Sequence, residues 1–172
     1  MNLQAKGDGF FVRARTRLYQ PTRSLLGQIH DDSCVAACCR MLLQDQGLTC
    51  SETVVRAALG GEIGGVEISA AAQALEELGG LKRYAYRDDL SPADLQLAVT
   101  KGLVLAFVKS NPRSGFGHAV LVDSIKNGWV MIRDPWPLDL GSSYQVSLAD
   151  FTSAWLLAPS AAGFMGRAVI VK

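Results

Sequence analysis

The chain of 172 residues and 18.4 kDa can enclose one sizeable core but is too short for two ordinary domains. With 49% hydrophobic residues, 19% charged residues and a mean hydropathy of +0.17, it reads as a folded globular chain and not as a disordered or collagen-like one. Seventeen basic against sixteen acidic side chains leave a formal net charge of +1, so no global field recruits a nucleic acid or an anionic membrane, and neither is expected as a partner.

The first residues, MNLQAKGDGFFVRAR, hold only a two-Phe apolar patch before Arg13, Arg15 and Arg17, and therefore lack the core of a secretory signal peptide. Residues 1–24 read as a basic leading arm, with Lys6, Arg13, Arg15, Arg17 and Arg23 against Asp8 and little apolar periodicity. From Cys34 the run CVAACCRMLLQDQG is rich in helix formers, with Asp32 or Ser33 as N-cap and Gly47 as the stop. Ser51 caps a second helix to Leu59, a third runs from about Ser69 to Leu78 and ends at Gly79-Gly80, and Ser91-Pro92 opens a fourth reaching about Thr100. The pattern then changes. Leu103 to Lys109, His118 to Ile125 and Trp129 to Arg133 are short β-branched or aromatic runs, the last two joined as a hairpin through Asn127-Gly128. Leu103 to Val108, the longest apolar stretch, is far shorter than the ~20 residues of a membrane helix. Ser147 caps a helix leading to Trp155, and Ala168 to Val171 forms a closing strand. Helices first and strands later define an α+β domain with segregated layers.

Cys34 falls in the first turn of its helix, where the positive end of the macrodipole favours a thiolate. Asp31 and Asp32 work against that, so a cationic partner is needed. Cys34, Cys38 and Cys39 share one helix and bridge poorly, which favours a reduced setting. With Cys50 they lack the paired spacing of a structural zinc site, and no metal is expected. The chain has two histidines. His30 is too close in sequence to oppose the helix tip, whereas His118 follows Gly115-Phe116-Gly117 at a strand start and has room to face a cleft. Asp134, across the hairpin, would fix the tautomer and orientation of His118 by accepting from one ring nitrogen. Gln28, six residues before Cys34, offers an amide that could join the Cys34 backbone N–H in holding an oxyanion. The glycine pairs Gly60-Gly61, Gly64-Gly65 and Gly79-Gly80 read as helix ends and turns.

The ordered set Gln28, Cys34, His118, Asp134 with Pro135-Trp136 resembles a papain-like cysteine peptidase, most closely the bacteriocin-processing, double-glycine family and its stand-alone or toxin-domain relatives. The likeness is carried by QIHDDSCVAAC at 28–38, GHAVLV at 117–122 and IRDPW at 132–136, and it spans about residues 25 to 157. Val35 departs from the glycine that often follows the nucleophile. The resemblance implies a papain-like domain over residues 25–172, in which an N-terminal helical layer carrying the nucleophile packs on a C-terminal antiparallel sheet. It implies Cys34 as nucleophile, His118 as general base and acid, Asp134 as orienter and Gln28 as oxyanion donor, with Trp136 shielding the His118–Asp134 bond. No cofactor is required. The implied activity is hydrolysis of a protein or peptide after glycine or Gly-Gly, by a free-standing processing protease or a bacterial toxin or effector domain. Action would be in the cytoplasm, or in a target cell's cytoplasm after delivery without a general secretory signal, with room for an immunity or inhibitor protein as partner. The same acyl-enzyme could serve a deamidase or acyltransferase, and a non-catalytic module binding a glycine-rich peptide is a third reading, disfavoured by the joint presence of the four residues.

The hairpin register decides whether His118 and Asp134 can meet. A two-residue Asn127-Gly128 turn pairs Ile125 with Val130, puts Asp134 opposite Leu121 and turns His118 to the other face. A three-residue loop of Lys126, Asn127 and Gly128 instead sets Asp134 opposite Val120 with His118 as diagonal neighbour on one face, about 7–8 Å apart at the backbone. The expectation is therefore the three-residue loop, with Gly128 at positive φ as its bulge residue.

Overall fold

The computed structural model describes residues 16–61, 65–109, 117–161 and 163–172. Most of the basic arm and the Gly115-Phe116 approach to His118 lie outside them. Helix α1, Cys34–Gln44, buries nine of its eleven residues, because Ala and Cys let neighbours approach closely and Met41, Leu42 and Leu43 fill the remaining space. Gly47, at φ +82°, closes it: its N–H donates to Gln44 O while Leu48 N–H reaches back to Leu43 O. Helix α2, Glu52–Ala58, is capped by Ser51, whose side chain accepts from Val54 N. The third helix is shorter than expected. Ile68–Ala70 make a single 3₁₀ turn, and α3 proper runs Ala71–Glu77 with no side-chain cap. Gly60-Gly61 and Gly79-Gly80 terminate α2 and α3 by the same back-bonding that closes α1. Helix α4, Pro92–Lys101, has the reciprocal Ser91–Asp94 capping box with Pro92 in its first turn, and α5, Leu148–Trp155, is capped by Ser147.

Among the described residues, eight strands form one antiparallel sheet. They are β1 Thr16–Leu18, β2 Tyr84–Leu90, β3 Val104–Val108, β4 His118–Lys126, β5 Trp129–Asp134, β6 Ser142–Ser147, β7 Leu156–Ser160 and β8 Gly163–Val171, in the order β1-β6-β5-β4-β3-β8-β2 with β7 pairing β8. Five of these depart from the sequence expectation. β1 lies in what reads as an irregular arm, β2, β6 and β7 carry no expected strand, and β8 begins well before Ala168. The alternating side chains of the central strands feed two cores. Leu105, Ala119, Leu121 and Val169 pack with α1, α2 and α3, whereas Val104, Ala106, Val120, Val122 and Ile132 pack with α4 and α5. The helical layer bearing Cys34 thus lies on the sheet as expected, and a second, smaller helical layer covers the other core.

The hairpin corrects the expected loop but keeps its consequence. Asn127 (φ +51°) and Gly128 (φ +76°) form a regular two-residue turn, with Lys126 opposite Trp129 and Ile125 opposite Val130. Gly128 has its positive φ as a turn residue, not as a bulge. The compensation comes further along. Ser124 pairs with Met131 but Val122 pairs with Ile132, so Asp123 is the extra residue of a β-bulge. Beyond it Leu121 faces Arg133, the ladder sets Asp134 opposite Val120, and His118 shares the face of Asp134.

Candidate active site

Cys34 is the first residue of α1 and is 8% exposed. Ser33 holds the cap position, yet its hydroxyl turns back to accept from His30 N (3.0 Å) and donate to His30 O (2.9 Å), and makes no cap bond to the helix. The first-turn amides beside Cys34 are thereby left without a side-chain cap, which suits a negative charge at that sulfur. One turn further, the Cys38 thiol donates to Ala119 O at 3.5 Å and fixes α1 against the start of β4. That contact brings Cys34 beside His118.

His118 Nε2 lies 2.6 Å from Asp134 Oδ1. The carboxylate is fully occupied: Oδ1 also accepts from Trp136 N (2.9 Å), and Oδ2 accepts from the Tyr144 hydroxyl (2.7 Å). Asp134 is 1% exposed, so its charge acts through little solvent. The second ring nitrogen, Nδ1, is buried and accepts no hydrogen bond from nitrogen or oxygen, and Cys34 is close enough to change the proton affinity of the ring. Burial alone would lower that affinity. The charge and hydrogen bond of Asp134, with the influence of Cys34, overcome it and raise His118 to about 10. Tyr144 is pushed well above its ordinary value by burial and by the adjacent carboxylate, so its hydroxyl keeps the proton it donates. The close approach at the start of β4 depends on Gly117, where a Cβ would sit 1.8 Å from the Phe107 ring.

Gln28 is fully buried in the segment leading to α1. Its backbone N–H donates to Pro135 O and its carbonyl accepts from Asp139 N, both at 2.9 Å, so the loop following Asp134 grips it. A Cβ on Gly27 would lie 2.3 Å from Leu140 N, which shows how closely the two segments meet. The Gln28 amide donates to His30 O (2.7 Å) and Asp31 O (3.0 Å), and its Oε1 is buried without a partner. The side chain is therefore at the foot of α1 with both donors engaged on the loop. Glu52 braces the same loop: Oε2 accepts from Ile29 N at 3.0 Å, with Arg40 3.7 Å away. Arg56 answers the objection raised by Asp32, pairing with it at 2.8 Å and offsetting its negative charge near the sulfur.

The structure thus brings Cys34, His118, Asp134 and Gln28 to one end of α1, while Cys38 and Cys39 lie in the core. Burial and the neighbouring thiols push Cys38 well above the usual thiol range, and burial pushes Cys39 up to about 12. None of the four cysteines, Cys50 included, is in a disulfide. Tyr144, Glu52 and Arg56 are the site residues the sequence did not reveal. Tyr144 belongs to the unrecognised strand β6, whose Ser142–Ser147 alternation is strict in burial, but nothing local ties its hydroxyl to Asp134.

A helix-borne cysteine set against an imidazole and carboxylate on an antiparallel sheet defines a papain-like cysteine peptidase. The profile of the Peptidase C39 family matches residues 23–160, and the chain belongs to that family. Solved structures agree in fold. The peptidase domain of Streptococcus ComA, a bifunctional ABC transporter, gives a TM-score of 0.63 at 17% identity, covering 87% of this chain and 97% of that one. A double glycine motif protease from an AMS/PCAT transporter, determined with its leader peptide, gives 0.60 at 18% identity over 94% and 95%. A C39-like peptidase from Bacillus anthracis gives 0.65 at 16% identity over 88% and 94%. Comparison with curated protein sequences finds no match. The expected papain-like α+β fold and cysteine peptidase class are both borne out.

Proposed function

We propose that this peptidase cleaves a protein or peptide substrate after glycine, in the setting of a Gly-Gly motif, through Cys34, His118 and Asp134. The observation carrying this reading is the His118 ring, held at Nε2 by a saturated buried carboxylate while Nδ1 is left for Cys34. The proton passes from the Cys34 thiol to Nδ1, and the thiolate attacks the substrate carbonyl to form a tetrahedral intermediate. The Cys34 N–H and the Gln28 amide hold the oxyanion. For this, Gln28 gives up the longer of its two loop bonds, that to Asp31 O at 3.0 Å. His118 returns the proton to the leaving amine, and water then releases the acyl group as a free carboxylate, giving one proton back to the Cys34–His118 pair. No step calls for a cofactor.

The peptidase domain is taken as residues 25–172. The family membership and the leader peptide held by one structural relative support a peptide-processing role, as a free-standing protease or as a bacterial toxin or effector domain. The four thiols suit action in a reducing cytoplasm, either the producing cell's or a target cell's. Incubating wild-type and Cys34→Ala protein with a Gly-Gly peptide and its Ala-Ala counterpart, followed by mass spectrometry, tests the reading. The expected product is a new C-terminal glycine, formed by wild type alone and from the Gly-Gly peptide alone. Equal cleavage of both peptides would refute the glycine requirement, and cleavage by Cys34→Ala would refute the nucleophile.

A further inference from the structure

The sheet contains a buried ionic cluster that the proposed chemistry does not use. Arg133, fully buried and next in sequence to Asp134, donates through Nε to Asp123 (2.9 Å), through one Nη to Asp45 (2.7 Å) and through the other to Ser24 O. Tyr19 donates to the second Asp123 oxygen at 2.7 Å, and Ser24 donates to Asp45 through both N and Oγ. Asp123 is the extra residue of the β4 bulge.

That coincidence matters because packing does little to choose the register here. A regular ladder continuing from the Asn127-Gly128 turn would pair Asp123 with Ile132 and Leu121 with Asp134, and would turn His118 away from Asp134. In most half-buried strands such a slip is forbidden, since it moves the apolar face into water. In β4, residues 119–122 are all buried: Ala119 and Leu121 face the α1–α3 core, Val120 and Val122 the opposite core. The slip exchanges one apolar pair for another of similar bulk. What it cannot preserve is the geometry of Asp123 on Arg133 and Tyr19.

We propose that the Asp123–Arg133 ion pair is a register lock: it holds the bulge that puts His118 on the face of Asp134, making Arg133 and Asp123 positioning residues of the site. This rests on the Cys34–His118–Asp134 reading. The Asp45 arm of Arg133 serves as the internal control, because it ties the sheet to the C-terminal end of α1 without touching the bulge.

The test compares Asp123→Ala, Arg133→Met, Asp45→Asn and His118→Ala for folding, for kcat and KM on a Gly-Gly peptide, and for the rate of Cys34 alkylation by iodoacetamide at pH 6. Misalignment of reacting groups by about 1 Å costs on the order of 10²-fold. Asp123→Ala and Arg133→Met, in their folded fractions, are expected to lose at least about 10²-fold in kcat with KM little changed, and to lose the fast alkylation at pH 6. Asp45→Asn should lose thermal stability but keep both. Deleting Asp123 is the decisive variant. With the bulge residue gone, Ser124–Met131 and Val122–Ile132 become consecutive pairs of a regular ladder, so His118 regains its register without a lock. The deletion should therefore be milder than Asp123→Ala and should restore turnover to Arg133→Met, even if that variant alone folds poorly. Wild-type kcat in Asp123→Ala, or a deletion more damaging than the substitution, would overturn the lock while His118→Ala stays inactive. An active His118→Ala would overturn the catalytic reading and the lock together.

Discussion

Gly27→Ala tests whether the loop after Asp134 and the Gln28 segment act as one unit. The added Cβ would lie 2.3 Å from Leu140 N and 2.4 Å from Asp139 C, both main-chain atoms, against an ordinary contact of about 3.5 Å. The segments must separate by about 1 Å, and no side-chain rotation can relieve the clash. Two backbone bonds span the gap, Gln28 N to Pro135 O and Asp139 N to Gln28 O, both 2.9 Å. Each contributes about 0.5–1.5 kcal/mol net, with a further penalty for buried groups left unpaired, so the substitution should cost about 2–4 kcal/mol. At ~2–4 °C per kcal/mol for a chain of this length, Tm falls by about 5–15 °C. Because the same loop holds Asp134 through Trp136 N and the same segment carries Gln28, kcat should fall at temperatures where the variant is fully folded. Thermal unfolding by circular dichroism and turnover of a Gly-Gly peptide at 15 °C measure the two effects. A variant with wild-type Tm and kcat would refute the claim that this contact positions the site.

Thiol alkylation at neutral pH followed by peptide mapping should label Cys34 first and the more exposed Cys50 second. Cys38 and Cys39, whose burial disfavours their thiolates, should be protected until the protein unfolds; equal labelling of all four in the folded protein would remove the basis for Cys34 as nucleophile. Tyr144→Phe leaves the buried Oδ2 of Asp134 without its donor and should cost about 1.5–3 kcal/mol in urea unfolding, with a fall in kcat as the carboxylate gains freedom. Unchanged stability would mean that Asp134 finds another partner at that oxygen.

How much of this was legible from the sequence varies with how local its causes are. Helix α1 was readable because its signals, an apolar run ending in Gly47, act within a few residues of one another. Ser33 takes the N-cap position as read, but its side chain makes no capping bond, since its hydroxyl is drawn to His30 by the fold of the 28–33 loop. The Asn127-Gly128 turn obeyed its local chemistry, and the register below it was rescued by a bulge whose residue Asp123 is held by Arg133 of the facing strand and by Tyr19 from a distant segment. Strand β6 was hidden because Ser142, Ser143 and Gln145 are poor strand formers, although their alternation with Tyr144 and Val146 is regular. Strand β2 was masked by Arg87-Asp88-Asp89 on its exposed stretch, and β1 by side chains that are all exposed, its place being fixed by backbone pairing to β6. Gln28 lies at the foot of α1, where its sequence position leads, but the engagement of its amide with His30 O and Asp31 O follows from the loop conformation.

Proton linkage separates the two halves of the Cys34–His118 pair. His118 is raised to about 10, against about 6.5 in an unfolded chain: burial lowers it, Asp134 more than compensates, and Cys34 adds to the rise. A raised histidine stabilises the fold fully below the unfolded value, and that contribution is lost as pH climbs toward the folded one. In Cys34→Ala the ring keeps Asp134, the first of its raising causes, so stability should fall with pH from about 6.5 upward, at up to about 1.4 kcal/mol per pH unit for one proton. The window from pH 6.5 to 8 isolates it, because unfolded thiols begin to titrate above that range. In wild type the proposed chemistry has the ring hold the proton given up by Cys34, so on that reading folded and unfolded chains hold nearly equal numbers of protons across this window and stability should be almost flat. Adding Asp134→Asn to Cys34→Ala leaves burial unopposed and should abolish the slope. Urea unfolding of the three proteins at half-unit pH steps measures all of this. A flat profile in Cys34→Ala would show that Asp134 does not hold a proton on the ring, and a wild-type slope equal to that of Cys34→Ala would show that Cys34 keeps its own.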